Sequence, residues 1–302
     1  MNKTDWRGVI PAMTTPFHED YSVDFGALRE RARWLIESGC AGVVALGSLG
    51  EGATLSLEEK HEVIKACREA VANRGLVIAG IGSLSTADAV AQARSAQAAC
   101  ADGLMVLPPY AYKSDWRETK AHFTAVFGAT SLSCMLYNNP VAYITDASPA
   151  QIGELAAGCP NFHAVKESSA DVRRITAMHE VCGDRLARFV GVDDLVVEAV
   201  AAGAVGWIAG LANALPRESV MLFELAGRGP SQELRDLYEW FLPLLRLDTL
   251  PKFVQLIKLV EAELGKGSAL VRPPRLELTG AELDQTRQLI RTQLHNRVAV
   301  TA

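Results

Sequence analysis

The stretch Gly42-Val43-Val44-Ala45-Leu46-Gly47-Ser48-Leu49-Gly50-Glu51, with Ser56-Leu57-Glu58-Glu59 shortly after it, decides the fold. Gly42 to Leu46 shows no polar alternation, so a strand here is buried on both faces, the condition of a parallel strand covered by helices. The Gly47-Ser48-Leu49-Gly50 turn ends it, and Ser56 before Leu57-Glu58-Glu59 is a helix-start signal. One strand-turn-helix unit is readable from these residues alone.

Outward in both directions the same unit recurs. Strands are predicted at Gly8–Met13, Val77–Ile81, Gly103–Leu107, Ser133–Tyr137, Phe162–Lys166, Arg188–Gly191 and Ala204–Ala209, making eight with the first. Thr86 before Ala87-Asp88, and Ser148 before Pro149, mark further helix starts. Eight parallel strands alternating with helices predict an α/β chain closed into a (β/α)8 TIM barrel. Beyond the eighth strand only helical periodicity remains, at Ser231–Leu247, Pro251–Leu264 and Thr279–His295. The expected organisation is a catalytic barrel over 1–227 and a C-terminal helical extension of the same unit over 228–302.

Composition narrows the function classes. Hydrophobic residues make up 49% and charged residues 22% of the 302 residues, with no low-complexity tract, as in a compact globular protein. The net charge of −5 comes from interspersed charges, so no basic stripe is available for nucleic acid. No stretch is long and apolar enough to span a bilayer and no apolar leader opens the chain, so no membrane partner and a cytoplasmic location are expected. The six cysteines lie singly, which predicts buried reduced thiols, and neither they nor the histidines have metal-ligand spacing, so no metal is expected.

In such a barrel the reactive groups project from the carboxyl ends of the strands. Lys166 ends an apolar strand, where desolvation lowers an ammonium pKa and yields a nucleophilic amine. Lys60, Lys65, Lys120 and Lys258 fall instead on predicted polar helix faces. Tyr137 ends another strand before the rigid Asn138-Asn139-Pro140 turn and is placed to relay protons. The backbone N–H groups of Gly47 to Gly50 and the Ser48 hydroxyl form a nest for a carboxylate. Each has a plainer alternative: a snorkelling lysine, a core tyrosine with a satisfied hydroxyl, and a common glycine turn.

Taken in order, Gly8-Val9-Ile10-Pro11 with Thr15-Pro16-Phe17, Gly47-Ser48-Leu49-Gly50-Glu51, Tyr137-Asn138-Asn139-Pro140, Val165-Lys166-Glu167-Ser168 and Gly206 through Asn213 resemble the dihydrodipicolinate synthase and N-acetylneuraminate lyase superfamily over nearly the whole chain. The resemblance implies a class I mechanism without cofactor, on a small 2-oxo or imino acid. Lys166 would form the Schiff base, Tyr137 would relay protons, and Ser48 with the Leu49 N–H would hold the substrate carboxylate. Glu51 would support the turn, and Gly47, Gly191, Asp193 and Ala209 would complete the substrate pocket. A homotetramer, as a dimer of dimers, is implied as well.

Three residues depart from the synthase pattern. Leu49 stands where the superfamily has threonine or serine, Ala142 where synthases carry an arginine for a dicarboxylic partner, and Ala111 where they carry a tyrosine supplied across a subunit interface. Tyr137-Asn138-Asn139-Pro140 with Lys166-Glu167-Ser168-Ser169, Gly191-Val192-Asp193-Asp194, Leu247-Asp248-Thr249 and Val271-Arg272-Pro273-Pro274 resemble instead the branch that deaminates Δ1-pyrroline-4-hydroxy-2-carboxylate in hydroxyproline degradation. That reaction, releasing 2,5-dioxopentanoate and ammonia, is the leading expectation. The alternatives are a 2-keto-3-deoxy sugar acid dehydratase or aldolase, dihydrodipicolinate synthase itself, and a non-catalytic barrel that binds a 2-oxo acid.

Overall fold

The computed structural model describes residues 1–297, so the last five residues of the expected extension, 298–302, lie outside the described residues. Its strands are β1 (Gly8–Pro11), β2 (Gly42–Ala45), β3 (Leu76–Ile81), β4 (Gly103–Val106), β5 (Ser133–Asn138), β6 (Phe162–Glu167), β7 (Ala187–Val190) and β8 (Gly206–Ala209). All pair in parallel, in the order β1-β8-β7-β6-β5-β4-β3-β2. The two ends then meet: Ala41 N donates to Val9 O at 2.9 Å, and Met13 N donates to Val44 O at 2.8 Å, which closes the barrel. The apolar runs without alternation are buried at all but Gly8, Leu76 and His163, as a parallel strand between core and helices requires.

Helices α1 (Phe25–Glu37), α2 (Leu57–Val71), α3 (Thr86–Ala98) and α4 (Trp116–Gly128) follow the first four strands. A single turn, α5 (Pro140–Tyr143), and then α6 (Pro149–Gly158) follow β5. The ring is completed by α7 (Arg173–Cys182), α8 (Val196–Ala201) and α9 (Pro216–Arg228). Ser56 and Ser148 cap their helices with reciprocal capping boxes through Glu59 and Gln151. The third helix is capped one residue earlier than predicted: the Ser85 hydroxyl accepts from Asp88 N, and Thr86 is already helical.

The extension consists of α10 (Gln232–Leu245), α11 (Phe253–Glu263) and α12 (Gly280–His295); α10 packs on α9, and α12 packs on both α10 and α11. Lys258 in α11 corrects the sequence reading. Far from a solvated face, it is 1% exposed and donates to Glu51 Oε1 at 2.6 Å and Leu270 O at 2.8 Å. Glu51 Oε2 accepts from Arg272 N at 2.9 Å, so the loop after β2 is bound to the extension through one buried carboxylate. A polar period on a helix does not distinguish solvent from a buried ion partner 207 residues away. All six cysteines are free thiols, but Cys100 is exposed and Cys182 half-buried, against the expectation of burial.

The amino-terminal end of the barrel is plugged: Trp6 Nε1 donates to Ser133 Oγ at 2.7 Å and the indole packs edge-on against Phe189 at 6.0 Å. Access is thereby left at the carboxyl ends of the strands. No helix described is long and apolar enough to cross a membrane.

Candidate active site

A cavity of about 470 Å³ opens at those carboxyl ends. Lys166 reaches it from β6 and is in register with Tyr137 of β5, so both side chains leave the sheet on the same side. The Lys166 ammonium sits 4.0 Å from the centre of the Tyr137 ring and makes no hydrogen bond or ion pair among the described residues. Burial pulls its pKa down to about 8, against the opposing pull of Asp248 and Asp193. About a tenth is then free amine at pH 7, far more than for a solvated lysine, and free amine is what a nucleophile requires.

Gly191 makes room for this lysine. A Cβ there would lie 2.3 Å from Lys166 Cε and 2.1 Å from Ser168 Oγ, so any larger residue would displace the amine. Ser168 itself is buried in the cavity wall beside the amine, with its hydroxyl next to the Tyr137 phenol.

The Tyr137 hydroxyl accepts from Asn139 Nδ2 at 2.9 Å, and burial pushes its pKa up to about 12. It is a protonated phenol at neutral pH, able to give a proton only as it receives one. Gly47, Ser48 and Leu49 line the cavity as well. Their turn is bent by positive φ at Leu46 (66°) and Glu51 (53°), a strain that the two bonds to the Glu51 carboxylate help to hold.

Two residues expected in the pocket do not line it. Ala209 is fully buried and faces away, because Ile208 and Gly210 carry the inward parity of that strand. The Asp193 carboxylate is spent on Trp207 Nε1 (2.9 Å), Gly210 N (3.1 Å) and Leu211 N (2.7 Å), so it braces the end of β8 and acts on Lys166 only through its field. Burial still raises its pKa, to about 6.

Two others were given no role from sequence. Asp248, on the turn between α10 and α11, lies so close to the end of β8 that a Cβ on Gly210 would come 2.0 Å from its Oδ1. It lines the cavity, and burial together with the neighbouring Asp193 raises its pKa well above the carboxylate range. The acid between apolar Leu247 and the next helix was the available signal, but its partner strand lies far off in sequence. Tyr143, the last residue of α5, pairs its hydroxyl with that of Ser48 and meets the Tyr137 ring edge-on at 5.7 Å.

A family model described as the dihydrodipicolinate synthetase family matches residues 5–293. The chain belongs to this family. Among its members, the 4-hydroxy-tetrahydrodipicolinate synthase of Chelativorans sp. is 37% identical over 79% of this chain and 82% of its own length. That of Mesorhizobium japonicum is 34% identical over 92% of this chain and 96% of its own. The crystal structure of dihydrodipicolinate synthase from Aquifex aeolicus superposes with a TM-score of 0.90 at 28% identity, covering 95% of this chain and 98% of that one. The family therefore accounts for barrel and extension together.

Proposed function

We propose that this protein forms a Schiff base at Lys166 and converts Δ1-pyrroline-4-hydroxy-2-carboxylate to 2,5-dioxopentanoate and ammonia. The observation that carries the choice of substrate is the charge of the cavity. Among its described lining residues, Lys166 is the only base and Asp248 the only acid. A substrate with one carboxylate can be held by the Ser48 turn. A second carboxylate would find no further cation among those residues, since Ala142 stands in the wall where a synthase arginine is expected.

In this reading the free Lys166 amine adds to the carbon of the protonated cyclic imine, and the ring nitrogen, taking up the proton that Lys166 gives up, leaves as a primary amine. The lysine-bound iminium acidifies C3; loss of a C3 proton gives an enamine, which expels the 4-hydroxyl as water. Tautomerisation places an imine at C5. One water hydrolyses that imine to release ammonia, and another frees Lys166, so one water is consumed overall. Purified protein given the hydroxylated pyrroline should release ammonia and 2,5-dioxopentanoate in equal amounts. Failure to do so at high enzyme concentration would reject the assignment.

A second reading, 4-hydroxy-tetrahydrodipicolinate synthesis, is favoured by the names of the similar proteins reported above. Formation of the dihydrodipicolinate from pyruvate and aspartate semialdehyde, followed with a coupled reductase, would establish it. We further propose a cytoplasmic homotetramer, with barrel (1–227) and extension (228–302) acting as one unit because Asp248 and Lys258 tie them at the site.

A further inference from the structure

The steps above need a base at C3, and the amine cannot be that base once it is taken up in the imine. Burial keeps Tyr137 and Tyr143 as protonated phenols. Of the described residues lining the cavity, Asp248 is the one carboxyl group. It is half-buried and makes no hydrogen bond or ion pair among the described residues. Asp193, by contrast, is spent on Trp207 Nε1, Gly210 N and Leu211 N. The turn that carries Asp248, Arg246–Thr249, is anchored by buried Leu247. Gly210 then clears its place. With φ −82° and ψ −54° this glycine has a backbone that any residue adopts, so what matters is its missing Cβ, which would lie 2.0 Å from Asp248 Oδ1. Gly191 clears the place of Lys166 in the same way. The loop after β7 and the end of β8 thus each forgo a side chain, one for the amine and one for the acid. Each of these two groups shifts the titration of the other, yet they form no ion pair among the described residues, so both remain open to a bound substrate.

We propose that Asp248 is the catalytic base of the site, whose carboxylate takes the C3 proton from the lysine-bound iminium and passes that proton on. The proposal rests on the Schiff-base reading of Lys166 but not on the choice of substrate. With pyruvate, the free Lys166 amine and a protonated Asp248 form the imine together. The nitrogen bonds to the keto carbon, and the keto oxygen leaves as water with one proton from the amine and one from Asp248. A cationic iminium and an anionic carboxylate result. The C3–H bond then breaks, its electron pair forms the enamine, and the proton goes to Asp248, so that both charges are cancelled in one step. Reversal returns a proton to C3, and in heavy water a deuteron. With the hydroxylated pyrroline, the enamine instead expels the 4-hydroxyl, which takes the Asp248 proton and leaves as water, restoring iminium and carboxylate. Burial and the neighbouring Asp193 raise the Asp248 pKa against the pull of the Lys166 cation, which makes its carboxylate a stronger base than a solvated one.

Pyruvate serves as the probe, because it forms the imine and the enamine without committing to any one overall reaction. Borohydride trapping at equilibrium reads the imine, and exchange of the pyruvate methyl protons for deuterium in heavy water, followed by NMR, reads the base. Asp248→Asn keeps the size of the side chain and removes its capacity to take a proton. It should trap pyruvate within about threefold of the wild type while its exchange rate falls by about 10²-fold or more, the scale of a lost general base.

A fall in exchange of less than about tenfold in Asp248→Asn, well short of the loss of a base, overturns the proposal. A parallel loss of trapping and exchange also overturns it, since Asp248 would then serve imine formation or folding. So does a wild type that traps pyruvate but exchanges none of its protons. A wild type that exchanges pyruvate protons but leaves the hydroxylated pyrroline untouched would reject the substrate assignment alone, and the exchange data would still judge Asp248. A wild type that traps no pyruvate would reject the Schiff base and the base together.

Discussion

Lys166 owes its chemistry to burial, and burial has a pH signature. Its pKa of about 8 lies below that of a solvated lysine, so the reactive free amine gains as pH rises and levels off above that value. The rate of imine formation should therefore increase about tenfold per pH unit below the pKa and plateau above it; a flat profile from pH 6 to 9 would show that the amine is not the titrating nucleophile. Lys166→Ala should abolish turnover with the fold intact, and residual turnover near wild type would remove the lysine from the mechanism. Tyr137→Phe should cost about 10²- to 10⁴-fold in rate, as for other lost general acids or bases, and a near-wild-type rate would reassign it to packing. Lys166, Tyr137 and the Ser48 turn were visible in sequence because strand ends announce themselves as the last residue of an apolar run. Asp193 and Ala209 were misplaced for a related reason. Being at a strand end does not say which way a side chain points, and a carboxylate can be consumed by backbone N–H groups that the sequence does not advertise.

At the level of the elements, the loop after β2 depends on α11. Glu51 is 1% exposed and Lys258 likewise, so removing the lysine strands a buried charge. Lys258→Ala should cost about 3 to 5 kcal/mol, measured by denaturant unfolding, whereas a loss under about 1 kcal/mol would mean that water reaches Glu51 and replaces the partner. Ile144, the residue after α5, has φ 65°, an outlier for a β-branched side chain, and Ile144→Gly tests that strain. Glycine adopts positive φ without steric cost but loses about 0.5 to 1 kcal/mol through its freer unfolded chain. Relief of about 1 to 3 kcal/mol of strain should leave the variant as stable as the wild type or more so, and clear destabilisation would show that the turn is not strained. The strands were legible to within two residues because all eight are apolar runs. Asp248 was legible only as part of a motif and Glu51 only as a support of its turn; their places beside β8 and Lys258, and the place of Tyr143, were not, because each meets a partner distant in sequence.

For the whole molecule, the extension does more than cover the barrel. It delivers Asp248 into the cavity and Lys258 to Glu51 at the end of the turn after β2, so barrel and extension should unfold together in a single transition. Light scattering at micromolar concentration should give the mass of a tetramer, and a monomer would contradict that assembly. Family membership settles the architecture and leaves the substrate to the residues that line the cavity. The most direct test is a comparison on one preparation: kcat/KM for release of ammonia from the hydroxylated pyrroline against kcat/KM for condensation of pyruvate with aspartate semialdehyde. A cavity without a second cation should favour the pyrroline by about 10²-fold or more, whereas faster condensation would contradict the account and make the protein a 4-hydroxy-tetrahydrodipicolinate synthase.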